Sequence, residues 1–474
     1  MADTKLTRRA FLASATLAAA GAVSLKWSWA QSVNTARVVP RKVSPNEKLN
    51  VAGIGVGGMG NGDIRSVGQF KDLVNIVALC DVDTSEKQTG EARATFPDAK
   101  FYTDYRKMLE ELDREIDAVT VSTPDHTHAL AGYMAMKMGK HCRIQKPLTH
   151  TIAEARLLAN VSRENPDVVA VMGSQGHSKN GVRELCELIW SGVLGDIREV
   201  HSWTNRPIWP QGLKAPLKEQ PVPETMQWDL WLGAAPFRPY NAGAAPYNWR
   251  GWWDFGCGAI GDMACHIMDP VFWTLHLDKA PRFTVEVVQQ QGQTDQCFPR
   301  KSVIKFEFPE RETPHGKMPP VTVYWHDGGE LPQRPEGIPT DEQFGDGDNG
   351  SLFIGSKAVA SSCTYGENPK LHPDPLNKDL KKPDPILPRV PDENSYLEWI
   401  KVCRDKSVAI PDGISYLNYA GPLTEVANMG NVALAVGVGV KLEFDVASMS
   451  FTNNKDANKY LSKEYRKPFD FLPL

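Results

Sequence analysis

Leu49-Asn50-Val51-Ala52-Gly53-Ile54-Gly55-Val56-Gly57-Gly58-Met59-Gly60 decides how this 474-residue chain is read. Its first six residues are an apolar run suited to a buried strand, and the run passes directly into G-x-G-x-x-G. In that pattern Gly55 permits a tight turn, Gly57 lets backbone approach a pyrophosphate, and Gly60 lets the next helix pack on the strand. The helix that follows would aim its first amides at phosphate oxygens. A second apolar run, Val74 to Leu79, ends at Cys80-Asp81, and Asp81 lies 21 residues after Gly60. A carboxylate at that strand end accepts hydrogen bonds from the adenosine ribose hydroxyls and repels a 2′-phosphate, so the expected cofactor is NAD rather than NADP.

Strand and helix signals alternate beyond this unit. Ala118–Ser122 is a β-branched run, followed by the loop Thr123-Pro124-Asp125-His126-Thr127-His128 and a helical stretch to Met138. Cys142–Ile144 reads as a strand stopping at Gln145-Lys146-Pro147, Ile152–Glu164 as a helix, and Val168–Met172 as another strand. Such alternation predicts an α/β fold with a doubly wound parallel sheet, whose ligands sit at the carboxyl ends of strands. The candidate cofactor residues are therefore Gly55, Gly57, Gly58, Met59, Gly60, Asp81, Thr123, Pro124, His128, Gln145 and Lys146.

After Gly173 the rhythm changes. One helix is expected over Gly181–Ser191, then strands at Glu199–Asn205, Arg282–Gln289, Ser302–Phe308, Val321–His326 and Ser351–Gly355. Long Pro/Gly-rich loops separate them, which predicts a mostly antiparallel sheet with one face packed and the other partly open. Late helices are expected over Glu393–Cys403 and Tyr419–Val436, and Pro369–Pro391, with seven prolines, reads as an irregular excursion.

Three residues carry the expected chemistry. Pro147 holds Lys146 in extended backbone at a strand end, where its ammonium can hydrogen-bond a substrate hydroxyl and stabilise a developing oxyanion. Asp262 and His266 are four apart on a helix expected from Ala259 to Leu275, so both can face one substrate. His can move a proton near neutral pH, and Asp can orient it or hold a second hydroxyl. No further metal ligands lie at a usual spacing, so no metal is expected. Trp203, Arg206, Trp209 and Trp249-Arg250-Gly251-Trp252-Trp253 cluster around these motifs; aromatic faces stack on sugar rings and arginine reads hydroxyls. Arg206, Trp252 and His177 are the candidate substrate contacts.

Composition narrows the class. Apolar residues make up 41% of the chain, enough for real cores, and the net charge of −4 implies no nucleic-acid partner. The eight cysteines form no C-x-x-C pair and read mostly as packing residues. Lys5 and Thr7-Arg8-Arg9-Ala10-Phe11-Leu12 precede a 15-residue apolar stretch, Phe11–Leu25, which is short for a membrane span, and Ser28-Trp29-Ala30 follows. Residues 1–30 thus resemble a twin-arginine export signal, implying folded export to the periplasm or cell envelope, with 31–48 as a polar arm.

The combination of Gly55–Gly60, Asp81, Ser122-Thr123-Pro124…His128, Gly139-Lys140-His141 leading to Lys146-Pro147, Gly192-Val193-Leu194-Gly195-Asp196 and Asp262…His266 resembles the Gfo/Idh/MocA family, which includes glucose–fructose oxidoreductase and inositol dehydrogenases. The resemblance implies an N-terminal Rossmann domain over 49–173 and a C-terminal α/β domain over 174–474 with a large, mostly antiparallel open sheet. It implies Lys146 as the catalytic lysine, Asp262 and His266 as an Asp–His pair, and homo-oligomers (dimers or tetramers). One departure is Gln145, where the family commonly has Glu. The expected activity is hydride transfer between a sugar or polyol carbinol and a tightly bound NAD(P). Two alternatives stay open: a redox-neutral glycoside hydrolase working by transient oxidation and elimination, and a non-catalytic sugar-binding protein on the same fold.

Overall fold

The apolar runs of the first half pair side by side in a computed structural model that describes residues 39–44, 46–213, 217–378 and 381–474. The expected export signal lies outside these residues. β1 (Leu49–Ile54), β2 (Val74–Cys80), β3 (Lys100–Tyr102), β4 (Ala118–Val121), β5 (His141–Ile144) and β6 (Ala170–Met172) form one parallel sheet in the order β3-β2-β1-β4-β5-β6. Helices cover both faces, so β4 and β5 are buried at every residue. Strand order reverses between β1 and β4, and the loops leaving their carboxyl ends diverge there to open a crevice.

The second half supplies β7 (Ile197–Trp203), β8 (Arg282–Gln291), β9 (Lys301–Phe308), the small hairpin β10 (Arg311–Thr313) and β11 (Gly316–Met318), then β12 (Val321–His326), β13 (Gly350–Gly355), β14 (Val359–Ser362) and β15 (Lys370–His372). β16 (Ser415–Tyr416) leaves this sequence, and β17 (Leu442–Asp445) and β18 (Ser450–Phe451) complete it. Nine strands form the large sheet, in the order β15-β14-β13-β7-β12-β9-β8-β17-β18. Every neighbouring pair is antiparallel except β7 with β12. Along β9 buried residues alternate with half-buried ones, the mark of a sheet with one packed face. The helices Gly258–Thr274 and Leu417–Val436 pack on that face. Gly430 permits their close approach, because a Cβ there would sit 2.6 Å from Ile260 Cδ1.

The C-terminal part does not stay with the large sheet. Asn394 caps the helix Ser395–Arg404 by accepting from the Tyr396 and Leu397 amides. Trp399, Ile400 and Val402 then bury against Leu49, Val51 and Val171 of the parallel domain, and β16 adds antiparallel to β6. All eight cysteines are unpaired thiols, seven of them buried. Among the described residues no helix is long and apolar enough to cross a membrane.

Trp399 is fully buried where the returning helix meets the first sheet. Trp399→Ala should cost about 3–5 kcal/mol, read as a lower urea midpoint; an unchanged midpoint would show that the returning helix adds nothing to the parallel domain.

Candidate active site

A cleft of about 730 Å³ lies at the switch point. Gly55, Gly57, Gly58 and Met59 form its floor. Gly60 lies beneath: a Cβ there would come within 1.9 Å of the Gly55 carbonyl oxygen, so only glycine lets the helix Met59–Gly68 start this close to β1. Gly58 adopts φ +49°, and a Cβ on it would meet nothing within 4 Å. That open cradle above backbone amides fits a pyrophosphate. Gly57 is less open than expected, since a Cβ there would strike the Gln88 side chain at 2.0 Å.

Asp81 closes one end. Its Oδ2 accepts from the Val56 and Gly57 amides at 2.9 and 3.1 Å, and its Oδ1 from the Asp83 amide at 3.0 Å. Burial pushes its carboxyl up to about 6 against the pull of these amides. The lone pairs not used by the amides would accept from the ribose hydroxyls of a bound dinucleotide.

Lys146, Asp262 and His266 converge at the other end. Lys146, at the end of β5, donates from Nζ to Asp262 Oδ1 at 2.7 Å and to the Asp262 carbonyl at 2.8 Å. Arg250 Nε is 3.4 Å from Asp262 Oδ1, and Arg206 Nε is 3.8 Å from Oδ2. Burial alone would raise Asp262, but Lys146 and Arg250 hold it down to about 2. Burial, then the Lys146 charge, push His266 down to about 3, so its imidazole is neutral at physiological pH. Its Nδ1 has no hydrogen-bond partner among the described residues. Asp262 therefore anchors the lysine, and no hydrogen bond joins it to His266. Of the two roles expected for the aspartate, the first is therefore not seen: it does not orient the histidine by a hydrogen bond.

Gln145 reaches down to a carboxylate the sequence did not single out. Its Nε2 donates to both oxygens of Asp63, at 3.1 and 2.9 Å, while Ser122 Oγ and the Tyr396 hydroxyl each donate to Asp63 at 2.6 Å. Gln145 Oε1 accepts from the Lys146 amide at 3.1 Å. The side chain of Gln145 thus fixes the backbone that presents the lysine.

Thr123, Pro124 and Arg206 line the cleft as expected. His128 also borders it, but its ring nitrogens face the Pro147 and Thr123 carbonyls, both at 2.8 Å, so it braces the loops after β4 and β5. Two expected substrate contacts do not reach the cleft. His177 is buried against Asp269 at 3.1 Å and stacked on Trp273. Trp252 is 1% exposed and packs with Trp231, Trp249 and Phe255 in a small core. Trp231, Trp249 and Arg250 face the cleft instead, with the Arg250 guanidinium 4.3 Å above the Trp249 ring. Arg250 and Trp249 stood in the aromatic cluster seen in the sequence, whereas Asp63 and Tyr396 carried no local signal.

Because Asp81 is charged above about pH 6 and neutral below it, NAD affinity should fall as pH drops through that value. Asp81→Asn should bind about tenfold more weakly and show no such step, measured by NADH fluorescence titration; a wild-type affinity flat across that value would remove the ribose role. Lys146→Met should slow hydride transfer about 10²–10³-fold in single turnovers while NADH binding persists, and an unchanged rate would exclude Lys146 from the chemistry.

Comparison with known proteins agrees with this architecture. Residues 49–172 match the oxidoreductase family's NAD-binding Rossmann fold, and residues 179–311 its C-terminal alpha/beta domain. Inositol 2-dehydrogenase of Salmonella typhimurium is 24% identical over 148 residues, 31% of this chain and 43% of that protein. A glycosyl hydrolase family 109 protein of Solibacter usitatus is 34% identical over 165 residues, 33% of this chain and 36% of that protein. The chain thus spans less than half the length of these curated relatives. The WlbA dehydrogenase of Bordetella pertussis, solved with NADH and UDP-GlcNAcA, shares the fold at a TM-score of 0.55 and 15% identity, over 83% of this chain and 98% of that one. An inositol dehydrogenase homolog of Azotobacter vinelandii, solved with NADH and myo-inositol, does so at 0.52 and 16%, over 87% and 100%. With both family domains matched in order over more than half of its length, the chain belongs to the Gfo/Idh/MocA oxidoreductases and carries their NAD-binding Rossmann domain.

Proposed function

We propose that the protein is an exported enzyme that moves hydride between a carbinol carbon of a sugar or polyol and a resident NAD. The observation that carries this reading is the meeting of Lys146, Asp262 and His266 in the cleft that also holds the glycine loop and Asp81. Bound NAD supplies the carbon that accepts and returns the hydride. His266, neutral and lining the cleft, takes the hydroxyl proton. Lys146 Nζ hydrogen-bonds the same oxygen as charge builds on it. Asp262 holds Lys146 in place, and Arg206, Arg250 and Trp249 read hydroxyls and a ring face.

Arg8-Arg9 followed by Phe11-Leu12 and an Ala-rich run supports folded export. Free dinucleotide is scarce outside the cytoplasm, so a cofactor carried along must be reset within each cycle. Hydride can pass from one sugar to another. Alternatively, the oxidised sugar loses its aglycone by elimination, takes up water and is reduced again. The second route is favoured by the 34% identity to a family 109 glycosyl hydrolase.

Protein purified after native export should release stoichiometric NAD(H) on denaturation. Sugar pairs and aryl glycosides are then supplied without added NAD: coupled oxidation and reduction marks a transhydrogenase, and aryl release marks the hydrolase. Absence of dinucleotide, with no binding of added NAD or NADP, would overturn the reading and leave a sugar-binding protein on this fold.

A further inference from the structure

With the adenosine ribose of a bound dinucleotide at Asp81, its adenine ring would extend past the end of β2. There the cleft is walled by Val82 and Tyr105 of the parallel domain, by Met226, Leu230 and Trp231, and by Phe469. Four of these six walls come from outside the parallel domain. Met226, Leu230 and Trp231 belong to the insert between β7 and the helix Gly258–Thr274, and Phe469 to the segment after β18.

Both segments are fastened over the parallel domain. The Thr84 amide donates to the Thr225 carbonyl at 2.9 Å, and the Gln227 amide to the Val82 carbonyl at 2.8 Å, which places Asp83 and Met226 as an antiparallel bridge. Phe469 is 2% exposed, with the Arg106 guanidinium 4.4 Å from its ring. Arg466 ties insert to tail. Its amide donates to the Ala234 carbonyl at 3.1 Å, and its guanidinium to the Gly233 and Asp229 carbonyls at 2.9 and 2.8 Å and to Asp229 Oδ1 at 2.5 Å.

We propose that Tyr105, the insert segment Thr225–Trp231 and Phe469 form an adenine site, and that Arg466 latches insert to tail across it, so that the dinucleotide leaves only when the latch opens. The proposal rests on the reading of this cleft as an NAD site, and it gives the resident cofactor a structural cause.

The test uses full-length protein loaded with NADH. Release is timed by fluorescence after a chase with excess NAD, and ADP-ribose and nicotinamide mononucleotide are compared as competitors. Leu230→Ala, which takes away one apolar wall, should weaken ADP-ribose competition about three- to tenfold and leave the mononucleotide unchanged. Arg466→Ala should speed NADH release about tenfold or more. Arg466→Lys should fall between, because lysine keeps a charge toward Asp229 and loses the planar fork to the carbonyls. Unchanged ADP-ribose competition in Leu230→Ala, together with unchanged release in folded Arg466→Ala, would overturn the adenine site while leaving the NAD reading intact. A wild-type protein that binds no NADH at all would overturn both.

Discussion

The Lys146–Asp262 pair is the constraint around which the cleft is arranged. It joins the end of a parallel strand to a helix of the other domain, and both side chains are almost buried, at 14% and 12% exposure. Taking two charges out of water costs several kcal/mol, on the order of what their attraction returns, and an apolar pair of similar size is often as stable. Stability therefore does not explain the pair. What the pair does in the structure is fix the Lys146 side chain in the same cleft as His266. Asp262 also sits near Arg206 and Arg250, so one carboxylate faces three cations. That excess of positive charge favours an oxygen on which negative charge is growing.

Much of the fold was legible because its signals are local. The strand-to-glycine turn, Asp81 at the end of β2 and the alternation of β9 each depend on residues close in sequence. The return of Ser395–Tyr416 to the parallel sheet was not legible. An amphipathic helix announces its apolar face but not which sheet it will cover, and a two-residue edge strand such as β16 carries no pattern. Likewise β6 begins at Ala170 rather than Val168, since strand ends are set by the neighbour that pairs with them.

The site divides along the same line. Lys146, Asp262 and His266 were readable from a lysine before proline and a spacing of four. His177 and Trp252 were misassigned because nearness in sequence to a site was taken for nearness to its opening. His177 pairs with Asp269, which lies two turns beyond Asp262 on the same helix and so supports the site from below. Tyr396 and Phe469 come from segments distant from the glycine loop, and only the packed chain brings them to its cleft, with Asp63 behind it on Tyr396 and Gln145.

The depressed basicity of His266 decides how proton and hydride must move. An alcohol resembles water, whose pKa is about 15.7, while the imidazole is held at about 3. Such a base cannot store the proton of an intact carbinol. It accepts that proton only as the hydride departs and the oxygen becomes a carbonyl, so the two transfers are coupled. In reverse, an imidazolium beside Lys146 gives up its proton readily, and a carbonyl oxygen is protonated as hydride arrives.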